Sequence, residues 1–426
     1  MSPHLNPLPQ GERKPFDERT LSLDGRGQGE GEQSINMKKI LHIITRFDRG
    51  GSSEDVVCTY AYLKGKGYDV KVVYGRTDYP SAPFAKENSA NPADFMLVRH
   101  LVRAINPLFD LIALARIYTI IAREKPDILH THTSKAGIIG RWAGWLYKKL
   151  SGHRLTILHS TYGHVFYGYY PGIIARLFVL VEKVTASVTD TIITLTRNEA
   201  EEHLRYGVGR AGQFAVVHSG IDDRFVFNDY SLRERLEIPG TALIIGSVGR
   251  LEPVKGYRYL IEAFRLVETS RPDLRCVYLL VGDGNERAAL ELQCRKRAFR
   301  NKIIFAGWQE NVADFTAAID IFVQPSLNEG LGKTVVMAQM LRRPVIATNV
   351  QGLVSIIKDG ETGLLVPPAD AVSLAAAILR LIDDAPLRLK LAVAAQQRVL
   401  QRDPASGLYR FSVEYMNYLC EKIYER

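Results

Sequence analysis

The sequence predicts an α/β protein made of two doubly wound, Rossmann-like domains that face each other across a cleft. From Ile40 onward, short apolar runs alternate with longer amphipathic stretches, which is typical of a parallel sheet covered by helices on both faces. The alternation pauses over residues 222–240, where charged residues and Pro239 cluster, and then restarts. The chain has 426 residues, and single domains stop growing at roughly 150 to 250 residues, so two domains are expected.

The first 36 residues form a separate compositional class. Nine of them are glycine or proline, and only seven are apolar. So few apolar side chains cannot offset an ordering entropy of about 1 to 2 kcal/mol per residue. The segment also lacks the apolar stretch of a secretory signal. We expect residues 1–36 to be a disordered tail or a mis-assigned start, with Met37 as a plausible true initiator.

Residues 37–225 are predicted to form the first domain. Its strands are expected at 40–44, 70–74, 128–130, 155–159, 191–196 and 214–218. Its helices are expected at 53–66, 104–124, 136–150, 173–188 and 197–206.

Residues 241–400 are predicted to form the second domain, followed by a helical segment over 401–426 whose helix begins at 405. The expected strands are 243–248, 276–281, 303–306, 321–324, 345–348 and 363–366. The expected helices are 256–269, 285–298, 311–318, 334–342 and 370–383. Because open α/β sheets bind ligands beyond the carboxyl ends of their strands, the loops after these strands are where a site is expected.

The composition excludes several classes of protein. With 46% hydrophobic and 24% charged residues, the chain is typical of a globular protein and not of a disordered one. Its longest apolar stretches, 111–122 and 172–181, are interrupted by arginine and are shorter than the roughly 20 residues that cross a bilayer. The four cysteines are far apart, which favours a reducing compartment. The net charge of +9 favours phosphate-bearing ligands, but the basic residues are dispersed, so we expect no nucleic-acid partner.

Two cations lie in the first loop of the second domain. The run Gly249–Gly256 contains Arg250 and Lys255, follows the strand that ends at Val248 and opens a helix. Arginine binds a phosphate with two hydrogen bonds, and lysine supplies a point charge. The loop therefore suggests a phosphate site; the alternative is that both side chains are ordinary solvated surface charges.

Two further loops of this domain carry glycines after strands. Gly282 and Gly284 form a tight turn that brings backbone close to a ligand, although most such turns are only turns. The run 324–334 starts a helix whose free amides can hold an anion. Its Gly332-Lys333-Thr334 is not a phosphate-binding P-loop, because that motif needs glycine where this chain has Leu327.

Taken together, these loops and their neighbours resemble a known family. The matching runs are VGRLEPVKGYRYLIEAF, LLVGDGNER, IIFAGW, DIFVQPSLNEGLGKTVVMAQMLRRPVIAT and KDGETGLLVPPAD, with a Gly-Gly pair near 50 and HTHTSKAGIIGRWAG in the first domain. In order and spacing they are similar to bacterial glycosyltransferases of family 4, which are retaining enzymes with the two-domain fold called GT-B. The resemblance implies that a nucleotide sugar binds the second domain and that a saccharide or lipid-linked acceptor binds the first.

The resemblance also implies roles for particular residues. Arg250 and Lys255 bind the donor diphosphate, and Gly50 and Gly51 close on it from the first domain. Glu329 contacts the hydroxyls of the donor sugar; the alternative is a carboxylate that only favours the helix dipole. The other donor-binding residues implied are Gly282, Gly284, Gly330, Leu331 and Gly332. No metal and no cofactor are implied, because two fixed cations and a helix N-terminus can stabilise the leaving diphosphate.

Two positions depart from the family pattern. Met337 stands eight residues after Glu329, where the family has a second glutamate, and a thioether accepts hydrogen bonds only weakly. Lys333, one helical turn before Met337, is a possible substitute contact to the nucleotide, although it cannot accept a hydrogen bond. Tyr162 holds the slot of a histidine that relatives place near the reacting sugar, so His164 is either the replacement for it or a structural histidine.

Two features have functional and structural interpretations in competition. His130 and His132 alternate at a strand end, and we expect them to point to opposite faces and not to act as a pair. The stretch 172–183 combines five apolar side chains with Arg176 and Lys183. It fits an interfacial helix on a membrane or a core-facing helix, which is the interpretation we favour. The resemblance implies a cytoplasmic protein with possible peripheral contact with the inner membrane.

These motifs and the family resemblance indicate three candidate functions. The first is a retaining, metal-independent glycosyltransferase in surface polysaccharide or glycolipid biosynthesis. The second is a catalytically weak homologue that binds sugar nucleotides or acts as a scaffold, which Met337 and Tyr162 would mark. The third is an epimerase on the same fold, which is disfavoured because the motif spacing is that of the transferases.

Overall fold

Each of the two lobes of the protein is a parallel sheet covered by helices on both faces. The computed structural model describes residues 38–48, 50–77, 91–163, 166, 172–221 and 232–425, which belong to one compact unit. The predicted tail over residues 1–36 and the candidate initiator Met37 lie outside the described residues.

The N-terminal lobe contains a seven-stranded sheet. In chain order its elements are β1 (Lys39–Ile44), α1 (Gly51–Gly65), β2 (Asp69–Gly75), β3 (Phe95–Val98), α2 (Pro107–Glu124), β4 (Ile128–His132), α3 (Ser134–Ser151), β5 (Thr156–Ser160), α4 (Gly172–Ala186), β6 (Thr191–Thr194), α5 (Arg197–Arg205) and β7 (Phe214–Val216). The strand order is β3-β2-β1-β4-β5-β6-β7, with every neighbouring pair parallel. All residues of the central strand β4 are buried, because helices cover both of its faces.

The C-terminal lobe repeats this plan with six strands. Its elements are α6 (Leu232–Arg235), β8 (Leu243–Val248), α7 (Tyr257–Ser270), β9 (Cys276–Val281), α8 (Arg287–Arg297), β10 (Lys302–Gly307), α9 (Val312–Ala318), β11 (Ile321–Gln324), α10 (Lys333–Met340), β12 (Val345–Thr348), α11 (Gln351–Ile356), β13 (Leu364–Val366), α12 (Ala371–Asp383) and α13 (Ala385–Val399). The strand order is β10-β9-β8-β11-β12-β13, again parallel throughout. The sheet is held to its helices by contacts such as the stack of Tyr278 on Phe264, whose ring centroids are 3.9 Å apart.

Capping side chains set several helix starts. Asn106 accepts a hydrogen bond from the Phe109 amide at 3.1 Å, and Pro107 occupies the first position of α2. Asp370 accepts from the amides of the first turn of α12 in the same way. These residues explain why the periodic segments begin where they do.

The last helix, α14 (Val413–Glu425), returns to the N-terminal lobe and packs on α1. Tyr62 donates a hydrogen bond to Glu421 at 2.6 Å, and Lys38 donates to the Tyr424 carbonyl at 2.7 Å. The predicted helix start at 405 is wrong. Residues 401–412 form turns, in which Asp403 accepts hydrogen bonds from the amide and hydroxyl of Ser406.

The other predicted strands and helices are present, and the strand bounds agree to within two residues. The prediction missed β3, α6, α11 and α13; α6 has only four residues. Strand β3 has only four residues and lies at the sheet edge, and helix α11 has only six residues, so neither spans enough residues to show a period. Much of the buried face of α13 is alanine, which weakens the apolar signal.

Candidate active site

The loops that follow the strands of both sheets meet between the lobes. A Cβ atom added to Gly330, after β11, would lie 3.0 Å from the Gly163 amide nitrogen, after β5. It would also lie 3.1 Å from the side chain of Leu195, after β6. The carboxyl ends of the two sheets therefore face each other, which is where α/β sheets place ligands.

Lys255 and Glu329 form an ion pair on the C-terminal lobe. The Lys255 ammonium lies 2.8 and 2.7 Å from the two carboxylate oxygens of Glu329, and Ser326 donates a further hydrogen bond to Glu329 at 2.8 Å. Glu329 lies four residues before the first residue of α10, so its partner is a cation and not the first helical turn. The structure thus brings together Lys255, which is expected to bind the diphosphate, and Glu329, which is expected to contact the sugar.

A single glycine makes this pairing possible. Gly256 has φ of 69°, and a Cβ atom there would lie 2.1 Å from the Pro325 carbonyl oxygen. The Leu327 amide donates to the Val254 carbonyl at 2.7 Å. The Lys255 loop can therefore lie directly against the Glu329 loop only with glycine at position 256.

Arg250 belongs to a second charged cluster, centred on Glu252. Arg250 lies 3.6 Å from Oε1 of Glu252, and Arg103 of the N-terminal lobe lies 3.5 Å from the same oxygen. Burial acts to raise the pKa of Glu252, but Arg250, Arg103 and Arg46 outweigh it and hold the pKa below its ordinary value. Arg46 follows β1, and burial lowers its own pKa. Sequence reasoning missed Arg103, Arg46 and Glu252; Arg46 and Glu252 could have been found, since each lies in a loop that follows a strand.

Gly282 and Gly284 are required by packing between two loops. Added Cβ atoms would lie 2.0 Å from the Gly249 carbonyl oxygen and 2.4 Å from the Leu251 carbonyl oxygen, respectively. The Leu251 amide donates to the Asp283 carbonyl at 2.9 Å. A side chain at either position would clash with the Arg250 loop. Close packing of the two loops is therefore the structural reason for glycine at 282 and 284.

Gly50 and Gly51 lie at the start of α1, opposite Lys333 of α10. A Cβ atom on Gly51 would lie 3.1 Å from Cδ of Lys333. The Lys333 ammonium binds Asp55 at 3.0 Å and Glu54 at 3.2 Å, both on α1. Lys333 thus joins the two lobes. The sequence had suggested a different partner for it, the nucleotide.

Burial affects the pKa values of Lys333 and Asp55, which link the lobes. It acts to lower the pKa of Lys333, but Asp55 and Glu54 outweigh it and hold the pKa above its ordinary value. Burial raises the pKa of Asp55, although Lys333 opposes the shift. Lys333 and Asp55 therefore form a buried ion pair, in which the charge of each side chain is stabilised by the charge of the other.

The residues after Glu329 shape the start of α10. Leu331 is buried, and Gly332 caps the helix with φ of 87°. The Gly352 amide donates to the Glu329 carbonyl at 3.1 Å, so α11 supports this loop from behind. Met337 is half-buried, and its sulfur lies 3.7 Å from the Thr316 hydroxyl of α9.

Glu199 of α5 holds the loop that carries Tyr162. Its fully buried carboxylate accepts hydrogen bonds from the Thr161 hydroxyl at 2.6 Å, the Gly163 amide at 2.9 Å and the Leu195 amide at 2.8 Å. Tyr162 and Gly163 have φ of 54° and 86° and are therefore held in the left-handed region, next to Gly330. Sequence reasoning missed Glu199, and His164 lies outside the described residues.

The prediction that His130 and His132 point to opposite faces is wrong. Residues i and i+2 of a strand share a face, and the two ring centroids lie 4.1 Å apart. His42 joins them, with Nδ1 2.8 Å from Nε2 of His132. One nitrogen from each ring lies within 4.8 Å of the others, as a shared metal ion would need. However, His130 uses both ring nitrogens in hydrogen bonds to Tyr424 and Ser160. Burial lowers the pKa of His42 to about 3, so this ring is neutral.

The favoured expectation that α4 is a core-facing helix is wrong for its apolar stripe. Ile173, Leu177, Leu180 and Val184 are 84%, 59%, 56% and 50% exposed. These positions share one helix face, and the opposite face, with Ala175 and Ala186, is the one that is buried. Among the described residues, no helix is both long enough and apolar enough to cross a bilayer.

Comparison with known proteins agrees with the division of the chain into two lobes. The family model described as "Glycosyltransferase Family 4" matches residues 49–225, and that described as "Glycosyl transferases group 1" matches residues 229–398. The chain is 28% identical over 294 residues to UDP-Gal:alpha-D-GlcNAc-diphosphoundecaprenol alpha-1,3-galactosyltransferase of Escherichia coli, covering 68% of this chain and 75% of that protein. It is 24% identical over 351 residues to the capsular polysaccharide biosynthesis glycosyltransferase CapM of Staphylococcus aureus, covering 79% and 87%.

A solved structure shows the same fold. Anabaena Alr3699/HepE, in complex with UDP and glucose, superposes with a TM-score of 0.73 at 20% identity, covering 91% of this chain and 99% of that one. The two parallel-sheet lobes are thus the GT-B fold expected from the sequence. The two family models cover the two lobes in turn, and the chain belongs to glycosyltransferase family 4.

Proposed function

We propose that this protein is a retaining glycosyltransferase that moves a sugar from a nucleotide-sugar donor to an acceptor hydroxyl in surface polysaccharide or glycolipid biosynthesis. The observation that carries the proposal is the Lys255–Glu329 ion pair at the strand ends that face the other lobe, in a loop where Arg250 and Lys255 both act on the carboxylate of Glu252. The names of the relatives point to UDP-sugars as the first donors to test.

The charges fit the reaction. Departure of a nucleoside diphosphate develops negative charge, and fixed cations lower the barrier most when they are already in place. Lys255 has its ammonium beside the carboxylate proposed to hold the sugar, so one loop pair would position both the leaving group and the sugar. For retention we propose front-face displacement, in which the leaving diphosphate helps to deprotonate the acceptor hydroxyl.

An assay on the full chain tests this function. The protein is incubated with UDP-galactose, UDP-glucose and other nucleotide sugars, together with saccharide and lipid-linked acceptors. We expect acceptor-dependent release of nucleoside diphosphate and a product linkage, read by NMR coupling constants, that keeps the anomeric configuration of the donor. An inverted linkage would contradict retention, and donor binding without turnover would support the alternative below.

Met337 supports that alternative, in which the protein binds sugar nucleotides but turns them over poorly. Its thioether replaces a carboxylate that would accept charge-assisted hydrogen bonds of about 1.5 to 3 kcal/mol from a ribose. Met337→Glu separates the two functions. We expect it to raise donor affinity roughly tenfold in either case, but to raise turnover only if the chain is a transferase.

We also propose that α4 docks on the anionic surface of a membrane, where a lipid-linked acceptor would lie. Its exposed stripe of Ile173, Leu177, Leu180 and Val184 is flanked by exposed Arg176 and Lys183. An apolar face with basic flanks is the pattern that binds anionic interfaces. The net charge of +9 adds a general attraction to such a surface.

Cosedimentation with vesicles rich in phosphatidylglycerol tests the docking. We expect binding at low salt, and a reduction of at least about tenfold in Leu177→Glu/Leu180→Glu, because each leucine contributes roughly 1.5 to 3 kcal/mol when buried. The matched control is Leu292→Glu, an exposed leucine on the C-terminal lobe, which should bind as before. Equal binding by the double variant, or no binding by the unaltered protein, would end the proposal.

A further inference from the structure

The carboxylate of Glu252 lies between guanidinium groups from opposite lobes. Arg103 and Arg250 approach the same oxygen, Oε1, at 3.5 and 3.6 Å. Glu252 is only 5% exposed, and this oxygen has no hydrogen-bond partner among the described residues. Both guanidiniums are therefore held by charge, at distances slightly too long for good hydrogen bonds.

The two arginines keep their hydrogen-bonding capacity. A guanidinium carries five N–H donors in a planar fork, and in the described part of the chain neither Arg103 nor Arg250 donates a hydrogen bond to another residue. Their side chains are 50% and 37% exposed, so both reach solvent. Two such donor groups beside the same carboxylate oxygen match the oxygens of a phosphate.

The local charge is also positive. Arg46, Arg103, Arg250 and Lys255 all act on the carboxylate of Glu252. Asp48 pairs with Arg46, and Glu329 pairs with Lys255. Glu252 then faces the two other cations, Arg103 and Arg250, so among these seven described side chains the positive charges exceed the negative ones by one. An added anion would lower the repulsion between the arginines.

We propose that Arg103 and Arg250 form a phosphate-binding clamp that spans the two lobes, with Glu252 fixing the positions of both guanidiniums. Arg103 lies in the loop before α2, so it supplies a side-chain contact from the N-terminal lobe to a phosphate held from the other side by Arg250. The phosphate belongs to the donor diphosphate or to a phosphate-bearing acceptor; that choice of source rests on the proposed function.

Titration calorimetry with inorganic pyrophosphate tests the clamp on the full chain and does not depend on transferase activity. We expect Arg103→Gln to weaken pyrophosphate binding about tenfold, because it removes one charge-assisted contact to the phosphate. Arg103→Lys keeps the charge without the fork and should recover part of the loss. Arg99→Gln, at an exposed arginine of the same loop, should bind within twofold of the unaltered protein.

Further titrations identify the source of the phosphate. If Arg103→Gln weakens UDP binding in parallel with pyrophosphate, the clamp holds the donor diphosphate. If it leaves UDP binding unchanged but abolishes phosphate binding to the UDP-saturated protein, the clamp holds an acceptor phosphate. Unchanged binding of pyrophosphate, UDP and phosphate in Arg103→Gln, or an equal loss in Arg99→Gln, would overturn the proposal. Thermal unfolding confirms that each variant is folded.

Discussion

Replacing Lys255 with methionine should lower kcat for sugar transfer about 100- to 1,000-fold, the usual loss when one preorganised group that stabilises developing charge is removed. Two effects act in the same direction. The leaving diphosphate loses a cation, and Glu329, whose side chain is only 12% exposed, loses the partner that neutralises it. An unneutralised carboxylate would then repel the diphosphate.

Initial rates of nucleoside diphosphate release at saturating donor measure this effect. Lys390→Met is the matched control, since Lys390 is an exposed lysine of α13, and its rate should not change. Glu329→Gln keeps the size of the side chain and should lose activity while leaving UDP affinity nearly intact, because its proposed role is toward the sugar. A Lys255→Met variant that kept a third or more of the original kcat would contradict the site assignment.

Replacing Lys333 with methionine should destabilise the protein by about 3 kcal/mol, because removing one partner of a buried ion pair leaves the other uncompensated. Asp55, whose side chain is 4% exposed, would stay buried and, among the described residues, would keep only the hydrogen bond from Ser219. The pKa of Asp55 would then rise further, since Lys333 no longer opposes the effect of burial. We also expect the lobes to separate, because this pair joins α1 to α10.

A double-mutant cycle with Asp55→Asn isolates the pair. Denaturant unfolding should show that Lys333→Met/Asp55→Asn is more stable than Lys333→Met alone, and small-angle scattering should show a larger radius of gyration only in the single variant. Lys358→Met is the control, since Lys358 and Glu361 are both 59% exposed and such pairs contribute little. Additive effects of the two substitutions would show that the pair does not couple the lobes.

Much of the fold could be predicted because it depends on local pattern. Alternation of β-rich and amphipathic segments specifies parallel sheets, and the loops after β8 and β11 carry Arg250, Lys255 and Glu329 at a spacing that the family shares. The elements that were missed are those with little periodic signal, such as the four-residue edge strand β3. The helix over 172–186 was placed correctly, but periodicity showed only that it has an apolar face and not which way that face points.

The rest of the site depends on contacts between residues far apart in sequence. Lys333 binds Asp55 across 278 residues, and Arg103 and Arg250 meet at Glu252 from different lobes. No spacing rule connects such residues, because their proximity follows from how the lobes close. Glu199 was missed for a related reason: its partners are backbone amides and a hydroxyl on a different loop, which leave no trace in composition.

A structure of the protein with UDP bound tests the central claim most directly. We expect the diphosphate between the lobes, with its oxygens accepting hydrogen bonds from the guanidinium of Arg250 and the ammonium of Lys255. Lys255 should then give up at least one of its two hydrogen bonds to Glu329. A diphosphate bound elsewhere, with Arg250 still beside Glu252 and Lys255 still fully engaged by Glu329, would contradict the account.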